Sequence, residues 1–375
     1  MENLKMKSRE SALSEDEKNS STAQYYDMIV FCHLRWQFVY QRPQHLISRL
    51  AKDRKVLFVE EPIGFAPHEE NTAILNEVTP QLHILQPKVN RIEDIAPLLF
   101  TYVSNTKVPV GWFYSAAFSP LLEAKYFETI VYDCMDELSL FKGAPQELID
   151  QEKFLISKAD IVFTGGKSLY ESKKQMHANV FCFPSSVDEA HFAQALNGIA
   201  VPEDIASIPS PVVGYYGVID ERIDLELLQE SASNLPDISF VMIGPIAKIS
   251  DSELPKASNI HYLGMKSYEE LPGYLKAFDI AMMPFALNDA TKFISPTKTL
   301  EYMAAGKPII STKIKDVIRD YSHCVSLIDN ADEFCGAVSD AVSNDSLKSY
   351  EEILKNTSWD NTAEKMGAII KKNAL

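Results

Sequence analysis

Residues 295–312, SPTKTLEYMAAGKPIIST, hold the residue types whose spacing best suits binding of a phosphorylated ligand. Ser295 followed by Pro296 predicts a helix start, because serine can cap free backbone N–H groups and proline fits the first turn. The N–H groups at such a start favour an anion. Lys298 and Glu301 share one face near that end. The ammonium can therefore bind a diphosphate, and the carboxylate can accept hydrogen bonds from ribose hydroxyls. Taken alone, the two residues are better explained as an ordinary surface pair.

Three side chains near the ends of predicted strands are candidates for general acid–base chemistry. His33 follows the first predicted strand, Asp133 ends another, and Asp136 comes three residues later. A His or Asp with a pKa near the working pH can take the proton from a hydroxyl. We rank Asp133 first, because it ends a buried strand at the edge of the predicted cleft. The alternatives are a structural histidine for His33 and a helix cap or salt-bridge partner for each aspartate. Arg42, in RPQHL, fits either a substrate contact or a helix start.

The chain lacks the sequence motifs of common cofactor and metal sites. Gly165-Gly166-Lys167-Ser168 resembles the end of a phosphate-binding loop, but the first glycine of that motif would fall at Ile161. A glycine turn between a strand and a helix explains these residues better. There is no G-x-G-x-x-G for a nicotinamide or flavin, no H-E-x-x-H and no D-x-D pair. The sequence therefore predicts metal-independent chemistry without a bound cofactor.

Composition narrows the class of protein further. The 36 Lys and Arg residues against 52 Asp and Glu residues give a net charge of −16, which disfavours nucleic acid as a partner. The five cysteines form no C-x-x-C pair and fit reduced thiols in a cytosol. No run of 18 apolar residues is present to span a membrane. Residues 1–24 are polar and lack the apolar core of a signal peptide, so we expect a disordered leader.

The elements that must position these side chains follow an alternating pattern. In residues 25–196, apolar runs predict strands over 28–32, 56–60, 82–85, 108–114, 129–133, 160–164 and 180–183. Helical patterns lie between several of them, over 42–51, 120–128, 145–158 and 167–177. Alternation of strands and helices predicts an α/β domain with a parallel, doubly wound sheet.

A second domain follows a break in the pattern. Residues 197–211 contain three prolines and little periodicity, which is typical of an interdomain linker. The alternation restarts within residues 212–355, with strands over 212–216, 239–243, 261–263, 280–284 and 308–311, and helices over 225–233, 268–278 and 297–305. Two doubly wound, Rossmann-like domains facing each other form a cleft at the carboxyl ends of their strands, where ligands of such folds bind.

Several segments resemble a known family. NIHYLGMKSYEELPGYLKAFDIAMMPF and SPTKTLEYMAAGKPIIST are similar to the C-terminal half of nucleotide-sugar glycosyltransferases of the GT-B fold, family 4 or "glycosyl transferases group 1" type. VGYYGVID, with Gly214 and Gly217, resembles their first strand and turn after the linker. HLRWQFVYQRPQHLISRLA, VLFVEEP and YDCMDELSLF resemble a bacterial polysaccharide-assembly branch of the group. SWDNTAEKMGAII implies that residues 356–375 form a helix returning to the N-terminal domain.

The resemblance implies transfer of a sugar from a nucleotide diphosphate donor to a glycan or lipid-linked acceptor in cell-surface polysaccharide assembly. It implies a cytoplasmic location with a peripheral contact at the inner membrane face. The acceptor would lie on the N-terminal domain near His33 and Asp133. The donor would lie on the C-terminal domain, and the residues matching the family's donor site are Gly217, Arg222, Gly244, Pro245, Ser295, Lys298 and Glu301.

Two positions depart from the family pattern. The first Glu of the E-x7-E motif is Phe293 here, and the Arg that many members place after the glycine matching Gly217 is Val218. The resemblance therefore leaves open whether the sugar's configuration is retained or inverted. A nucleotide-sugar epimerase of the same fold and a non-catalytic nucleotide-sugar-binding subunit stay as alternatives, which a product assay separates from a transferase.

Overall fold

Continuous apolar runs form the buried strands of two separate sheets. A computed structural model describes residues 23–64, 69–343 and 349–373. All but the last two residues of the predicted leader lie outside these ranges. The predicted α/β class with parallel sheets is confirmed.

The first sheet has the strand order β3-β4-β2-β1-β5-β6-β7-β8. Its strands are β1 (Met28–Cys32), β2 (Val56–Glu60), β3 (Thr72–Thr79), β4 (Leu82–Lys88), β5 (Lys107–Phe113), β6 (Tyr126–Cys134), β7 (Ile161–Thr164) and β8 (Val180–Cys182). Strand β3 pairs antiparallel to β4, and the other pairs are parallel. Successive residues of β1 face opposite sides, so Phe31 joins one apolar cluster and Val30 joins the other.

The second sheet is wholly parallel, with the strand order β11-β10-β9-β12-β13-β14. Its strands are β9 (Val212–Tyr216), β10 (Ser239–Ile243), β11 (Ile260–Gly264), β12 (Ile280–Met283), β13 (Ile309–Thr312) and β14 (Ser326–Ile328). A third apolar cluster contains residues of these strands and their helices. The carboxyl ends of the strands in both sheets carry the residues described below.

Helices cover the faces of both sheets. They are α1 (Arg42–Leu50), α2 (Ile95–Tyr102), α3 (Leu148–Lys158), α4 (Lys167–Lys173), α5 (Glu189–Phe192), α6 (Glu203–Ala206), α7 (Leu225–Asn234), α8 (Leu271–Ala277), α9 (Lys298–Ala304), α10 (Lys315–Tyr321), α11 (Ala331–Ser343), α12 (Glu351–Leu354) and α13 (Trp359–Asn373). Within the described ranges, none of these helices combines the length and hydrophobicity needed to cross a lipid bilayer.

The predicted helix over residues 120–128 is wrong. A 3-10 segment, Ala116–Glu123, contains Pro120, which lacks the N–H that an α-helix interior requires. Strand β6 then begins at Tyr126, three residues before its predicted start. Strand β3 and helix α2 were not among the predicted elements. Strand β3 lies at the sheet edge and is largely exposed, so it lacks the continuous apolar run that marks the buried strands.

The last helix packs against the first sheet rather than the second. The Trp359 side chain of α13 is fully buried, and its ring stacks on that of His45 with centroids 4.7 Å apart. Arg49 donates a hydrogen bond from Nε to Asp360, at 3.0 Å. Met366 belongs to the same apolar cluster as Trp112 of β5. The chain therefore leaves the second sheet after α12 and ends against the first.

Helices α4 and α10 join the two sheets at a second place. Ser168 donates hydrogen bonds from its backbone N and its Oγ to buried Asp316 Oδ1, at 3.2 and 2.5 Å. A Cβ at Gly166 would lie 2.7 Å from Asp316 Oδ2, so glycine permits this approach. Lys167 pairs with Asp320 beside it. The Gly-Gly-Lys-Ser segment is thus a strand-to-helix turn, and a carboxylate from the other half of the chain occupies its helix start.

Candidate functional site

Two adjoining cavities lie between the carboxyl ends of the two sheets. The small cavity, of about 130 Å³, receives residues from both halves of the chain. The large cavity, of about 600 Å³, extends from it along the first sheet. The residues that line both are Gln41, Met135, Asp136, Val218 and Arg222. Chemistry that joins a ligand in one cavity to a ligand in the other would take place at this junction.

Lys298 is a cation in the small cavity without a protein counterion in contact. Its Nζ forms no hydrogen bond or ion pair with any residue in the described ranges, and lies 5.5 Å from the centroid of the Tyr215 ring. Burial lowers the pKa of Lys298 to about 8, although nearby Glu301 favours the charged form. An anionic ligand would supply the missing partner.

Helix α9 begins at Lys298, later than the sequence indicates. Its N-cap residue is Thr297, whose side chain makes no capping hydrogen bond. The prediction that Ser295 caps the helix is therefore wrong. Ser295 lines the small cavity, and its carbonyl oxygen accepts a hydrogen bond from Ser185 of the first half, at 2.8 Å.

Two glycines allow the loops after β9 and β10 to pack closely. Gly217 has a φ of +139°, and a Cβ there would lie 2.4 Å from Lys298 Cε. Gly244 has a φ of +141°, and a Cβ there would lie 2.0 Å from the Gly217 carbonyl oxygen. Gly217 lines the small cavity, whereas Gly244 and Pro245 line neither cavity. The Pro245 carbonyl accepts a hydrogen bond from the Ile219 N–H, so this segment supports the Gly217 loop, and the donor contact of Gly244 and Pro245 stays a prediction.

Glu301 is held by a tyrosine that the sequence analysis missed. Tyr216, the last residue of β9, donates a hydrogen bond from its hydroxyl to Glu301 Oε2 at 2.5 Å. Burial raises the pKa of Glu301, while this hydrogen bond and the charge of Lys298 oppose the rise. Oε1 accepts no hydrogen bond from the part of the chain described here, so it can serve a ligand hydroxyl. The position of Tyr216 at a strand end was the signal that could have identified it.

Arg222 is fixed at the junction of the cavities by its neighbour Asp220. The guanidinium donates from Nε and Nη2 to the two carboxylate oxygens, at 2.9 and 2.8 Å. Cζ also lies 5.5 Å from the centroid of the Phe141 ring, which comes from the first half of the chain. Arg222 and Lys298 thus bring two cations to the place where the sequence predicts a diphosphate.

Asp136 lies at the same junction with an uncommitted carboxylate. Its side-chain oxygens accept no hydrogen bond from residues 23–64, 69–343 or 349–373. Burial raises the pKa of Asp136, and so does Asp220, whereas Arg222 and Lys248 oppose the rise. A carboxylate with a raised pKa between two ligand cavities has the chemistry of a general base.

His33 lines the large cavity only. Its Nδ1 is buried and has no hydrogen-bond partner among the described residues. Burial, together with the charge of Lys248, lowers the pKa of His33 to about 4. The imidazole is therefore neutral near pH 7 and is a weaker base than an unperturbed histidine.

The structure corrects the ranking of Asp133 as the general base. The side chain is fully buried and lines neither cavity. Arg42 donates from Nε and Nη2 to its carboxylate, at 3.1 and 2.9 Å, and from Nη1 to the Phe183 carbonyl, at 2.8 Å. Asp133 is thus the salt-bridge partner that the sequence left as its alternative role. Arg42 forms this salt bridge and also lines the small cavity.

Aromatic residues from both halves also line the small cavity. Tyr40, before α1, stacks on Tyr268, before α8, with ring centroids 4.5 Å apart. Neither was predicted, although each lies within a segment that carried the family resemblance. Among the described residues, no group of three or more His, Cys, Asp or Glu side chains is arranged to hold a metal ion.

Sequence comparison adds two findings. Residues 210–344 match the family model described as "Glycosyl transferases group 1". A curated protein of Bacillus subtilis (strain 168), "Putative teichuronic acid biosynthesis glycosyltransferase TuaH", is 24% identical over 258 residues. That alignment covers 63% of this chain and 64% of the relative, so it spans less than two thirds of the relative's length.

Structural comparison concerns the whole fold. Sucrose-phosphate synthase from Thermosynechococcus elongatus superposes with a TM-score of 0.68 at 14% identity, covering 92% of this chain and 98% of the other. An E. coli structure described as trehalose-6-phosphate with UDP-2-fluoro glucose gives 0.66 at 10% identity, with the same coverage. An α,α-trehalose-phosphate synthase (UDP-forming) from Burkholderia vietnamiensis gives 0.65 at 10% identity, over 92% and 99%. These matches confirm the predicted fold.

Proposed function

We infer that this chain moves a sugar from a nucleotide diphosphate donor to a glycan or lipid-linked acceptor. Its residues 210–344 match the glycosyl transferases group 1, and its fold is GT-B. The observation that carries this proposal is the Lys298 ammonium, which lacks a protein partner in the described residues and lies in the small cavity with Arg222. The name of the Bacillus subtilis relative supports a role in cell-surface polysaccharide assembly. The UDP named for two structural relatives supports a nucleotide diphosphate donor.

In this proposal the donor occupies the small cavity. Its diphosphate lies against Lys298 and Arg222, and Glu301 Oε1 accepts from the ribose hydroxyls. Gly217 lets the backbone approach the phosphates because it carries no side chain. As the bond between the sugar and the diphosphate breaks, the two cations stabilise the charge that develops on the leaving group.

The acceptor enters from the large cavity. For an inverting transfer, Asp136 takes the proton of the acceptor hydroxyl while the hydroxyl oxygen forms its bond to the anomeric carbon of the sugar. His33 is the second candidate for this proton. The five free cysteines support a cytoplasmic location, and a lipid-linked acceptor would bring the enzyme to the inner membrane face.

Lys298→Met should weaken nucleoside diphosphate binding by about 10- to 150-fold, because a charge-assisted contact contributes about 1.5–3 kcal/mol. Titration calorimetry with UDP, ADP and GDP would measure this. Lys292→Met is the matched control, since Lys292 is exposed and lines neither cavity. The proposal fails if none of the three nucleotides binds, or if the Lys298 variant binds as the wild type does.

The same titration has a pH signature. Lys298 has a pKa of about 8 and loses its charge as the pH rises through that value. Nucleotide affinity should therefore fall above about pH 8 in the wild type. In Lys298→Met this fall should be absent, which a purely structural effect of the substitution would not produce.

Turnover should persist in EDTA, because we propose that Lys298 and Arg222 stabilise the leaving diphosphate without a metal ion. Initial rates with and without EDTA, on the same donor and acceptor, would test this. A strict requirement for added Mg²⁺ or Mn²⁺ would contradict the proposed leaving-group chemistry.

A further inference from the structure

A buried ammonium binds two carboxylates outside both cavities. The Nζ of Lys173, at the end of α4, lies 2.7 Å from Glu137 Oε2 and 2.7 Å from Glu152 Oε2. The Lys173 side chain is 2% exposed, and the two carboxylate side chains are 12% and 13% exposed. Although burial alone would lower it, the pKa of Lys173 is raised above its usual value by Cys134, Glu152 and Glu137. The ammonium therefore stays charged at the pH of an enzyme assay.

Glu137 connects this cluster to the proposed base. Its neighbours in the chain, Asp136 and Leu138, line the large cavity, whereas Glu137 lines neither cavity and extends to α4 instead. Glu137 Oε1 accepts a hydrogen bond from Ser139 Oγ at 3.3 Å. The Cys134 thiol donates a hydrogen bond to the Asp136 carbonyl oxygen at 3.5 Å. These contacts hold the backbone on both sides of Asp136.

The Asp136 side chain has no comparable contact of its own. Its carboxylate accepts no hydrogen bond from a described residue, so its place depends on the backbone that carries it. The charged groups that act on it come from the second half of the chain: Arg222, Asp220, Lys248 and Lys298. Within the described ranges, residues 135–141 form one ion pair, that of Glu137 with Lys173. Its loss would matter, because a misplacement of about 1 Å can cost a factor of about 10² in rate.

We propose that Lys173 and Glu137 are positioning residues that place the Asp136 carboxylate for proton transfer. This inference rests on the proposed function, in which Asp136 takes the proton of the attacking hydroxyl. The ammonium holds Glu137, and Glu137 holds the segment from which the Asp136 side chain reaches the junction of the two cavities.

Glu152, on α3, shares the ammonium but not the connection to Asp136. Its Oε1 accepts a hydrogen bond from the Tyr132 hydroxyl of β6 at 2.7 Å. It makes no hydrogen bond to residues 135–141 in the part of the chain that the structure describes. Glu152→Gln therefore removes an ion pair of the same length from the same cluster and leaves the contact of Glu137 in place.

Hydrolysis of the donor tests the proposal without a known acceptor. Water takes the acceptor's place: its oxygen bonds to the anomeric carbon, one proton passes to Asp136, and the nucleoside diphosphate leaves with the electrons of the broken bond. The probes are UDP-glucose, ADP-glucose and GDP-glucose, labelled in the sugar, and kcat is measured as release of glucose over long incubations. Glu137→Gln should lower kcat by about 10- to 100-fold and leave the affinity for the free nucleoside diphosphate unchanged.

Glu152→Gln is the matched control. It should lower stability to urea as Glu137→Gln does, because each leaves the buried ammonium with one carboxylate fewer. It should nevertheless keep the wild-type kcat. An equal loss of kcat in both variants would show a general effect on the fold and would overturn the inference.

Adding Glu137→Gln to Asp136→Asn separates positioning from other causes. Since Glu137 acts through the Asp136 carboxylate, the double variant should be slower than Asp136→Asn by no more than about twofold. The same fold loss in both backgrounds, or a wild-type kcat in Glu137→Gln, overturns the inference. Glu137→Asp shortens the side chain and keeps its charge, so it takes the place of Glu137→Gln, with the same expectation, if that variant does not fold. Failure of the proposed function would instead appear as absent nucleotide binding and absent hydrolysis in the wild type.

Discussion

Asp136→Asn should lower the rate of sugar transfer by about 10²–10⁴-fold and leave nucleoside diphosphate affinity nearly unchanged, because removing a general base affects the chemical step and not ground-state binding. Asp136 lies at the junction of the two cavities, and its carboxylate accepts no hydrogen bond from a described residue. Initial rates and nucleotide titrations on the same preparation would measure both effects.

The pH profile gives an independent readout of the same residue. A base must be deprotonated, and the pKa of Asp136 is raised by burial. Wild-type kcat/KM should therefore fall as the pH drops through this raised pKa, and that limb should be missing in Asp136→Asn. His33→Ala is the comparison variant. Full activity of Asp136→Asn, with a large loss in His33→Ala, would transfer the role of base to the histidine.

Arg42→Met should lower the free energy of unfolding by about 3–5 kcal/mol, because it leaves the fully buried carboxylate of Asp133 without its partner. Urea denaturation would measure the loss. Arg91→Met is the control, since Arg91 pairs with Glu93 at the surface with 69% of its side chain exposed, and should change stability by less than about 0.5 kcal/mol.

A double variant separates charge burial from lost packing. Arg42→Met with Asp133→Leu removes both charges, so it should be more stable than Arg42→Met alone. If Arg42→Met unfolds at the wild-type urea concentration, the buried pair does not stabilise the fold. The salt bridge would then no longer argue against Asp133 as the general base.

The strands at the centres of the sheets and the edge strands β8 and β11 could be predicted from sequence, whereas the exposed edge strand β3 could not. Strands β1, β2, β9 and β10 occupy the predicted residues, because a strand buried on both faces reads as a continuous apolar run. Strand β3 is exposed along most of its length, so local sequence carries little signal for it. Pro120 lies within a pattern that resembles a helix, yet the segment forms 3-10 turns before β6.

The candidate site shows the same division. Lys298, Glu301, Gly217 and Arg222 line one cavity, as the spacing of Lys298 and Glu301 and the family resemblance indicated together. The sequence could not decide between the two roles of Asp133, general base or salt-bridge partner, because its partner Arg42 lies 91 residues away in the chain. A position at a strand end predicts where the backbone lies, but it does not predict which cation pairs with the side chain.

The docking of α13 on the first sheet affects how this protein can be recombined with its relatives. The segment between β8 and β9 looks like a natural crossover point for exchanging the half that holds the second sheet. In the native protein, the buried Trp359 of α13 packs beside His45. A simple exchange at that point would replace α13 with a helix whose side chains fit the first sheet of another parent. A working chimera therefore needs two crossovers, so that residues 359–373 stay with the N-terminal half of the same parent. By the same reasoning, natural exchange of the second-sheet half must preserve or rebuild this terminal helix, which makes such a half harder to acquire by gene fusion than the two-sheet layout suggests.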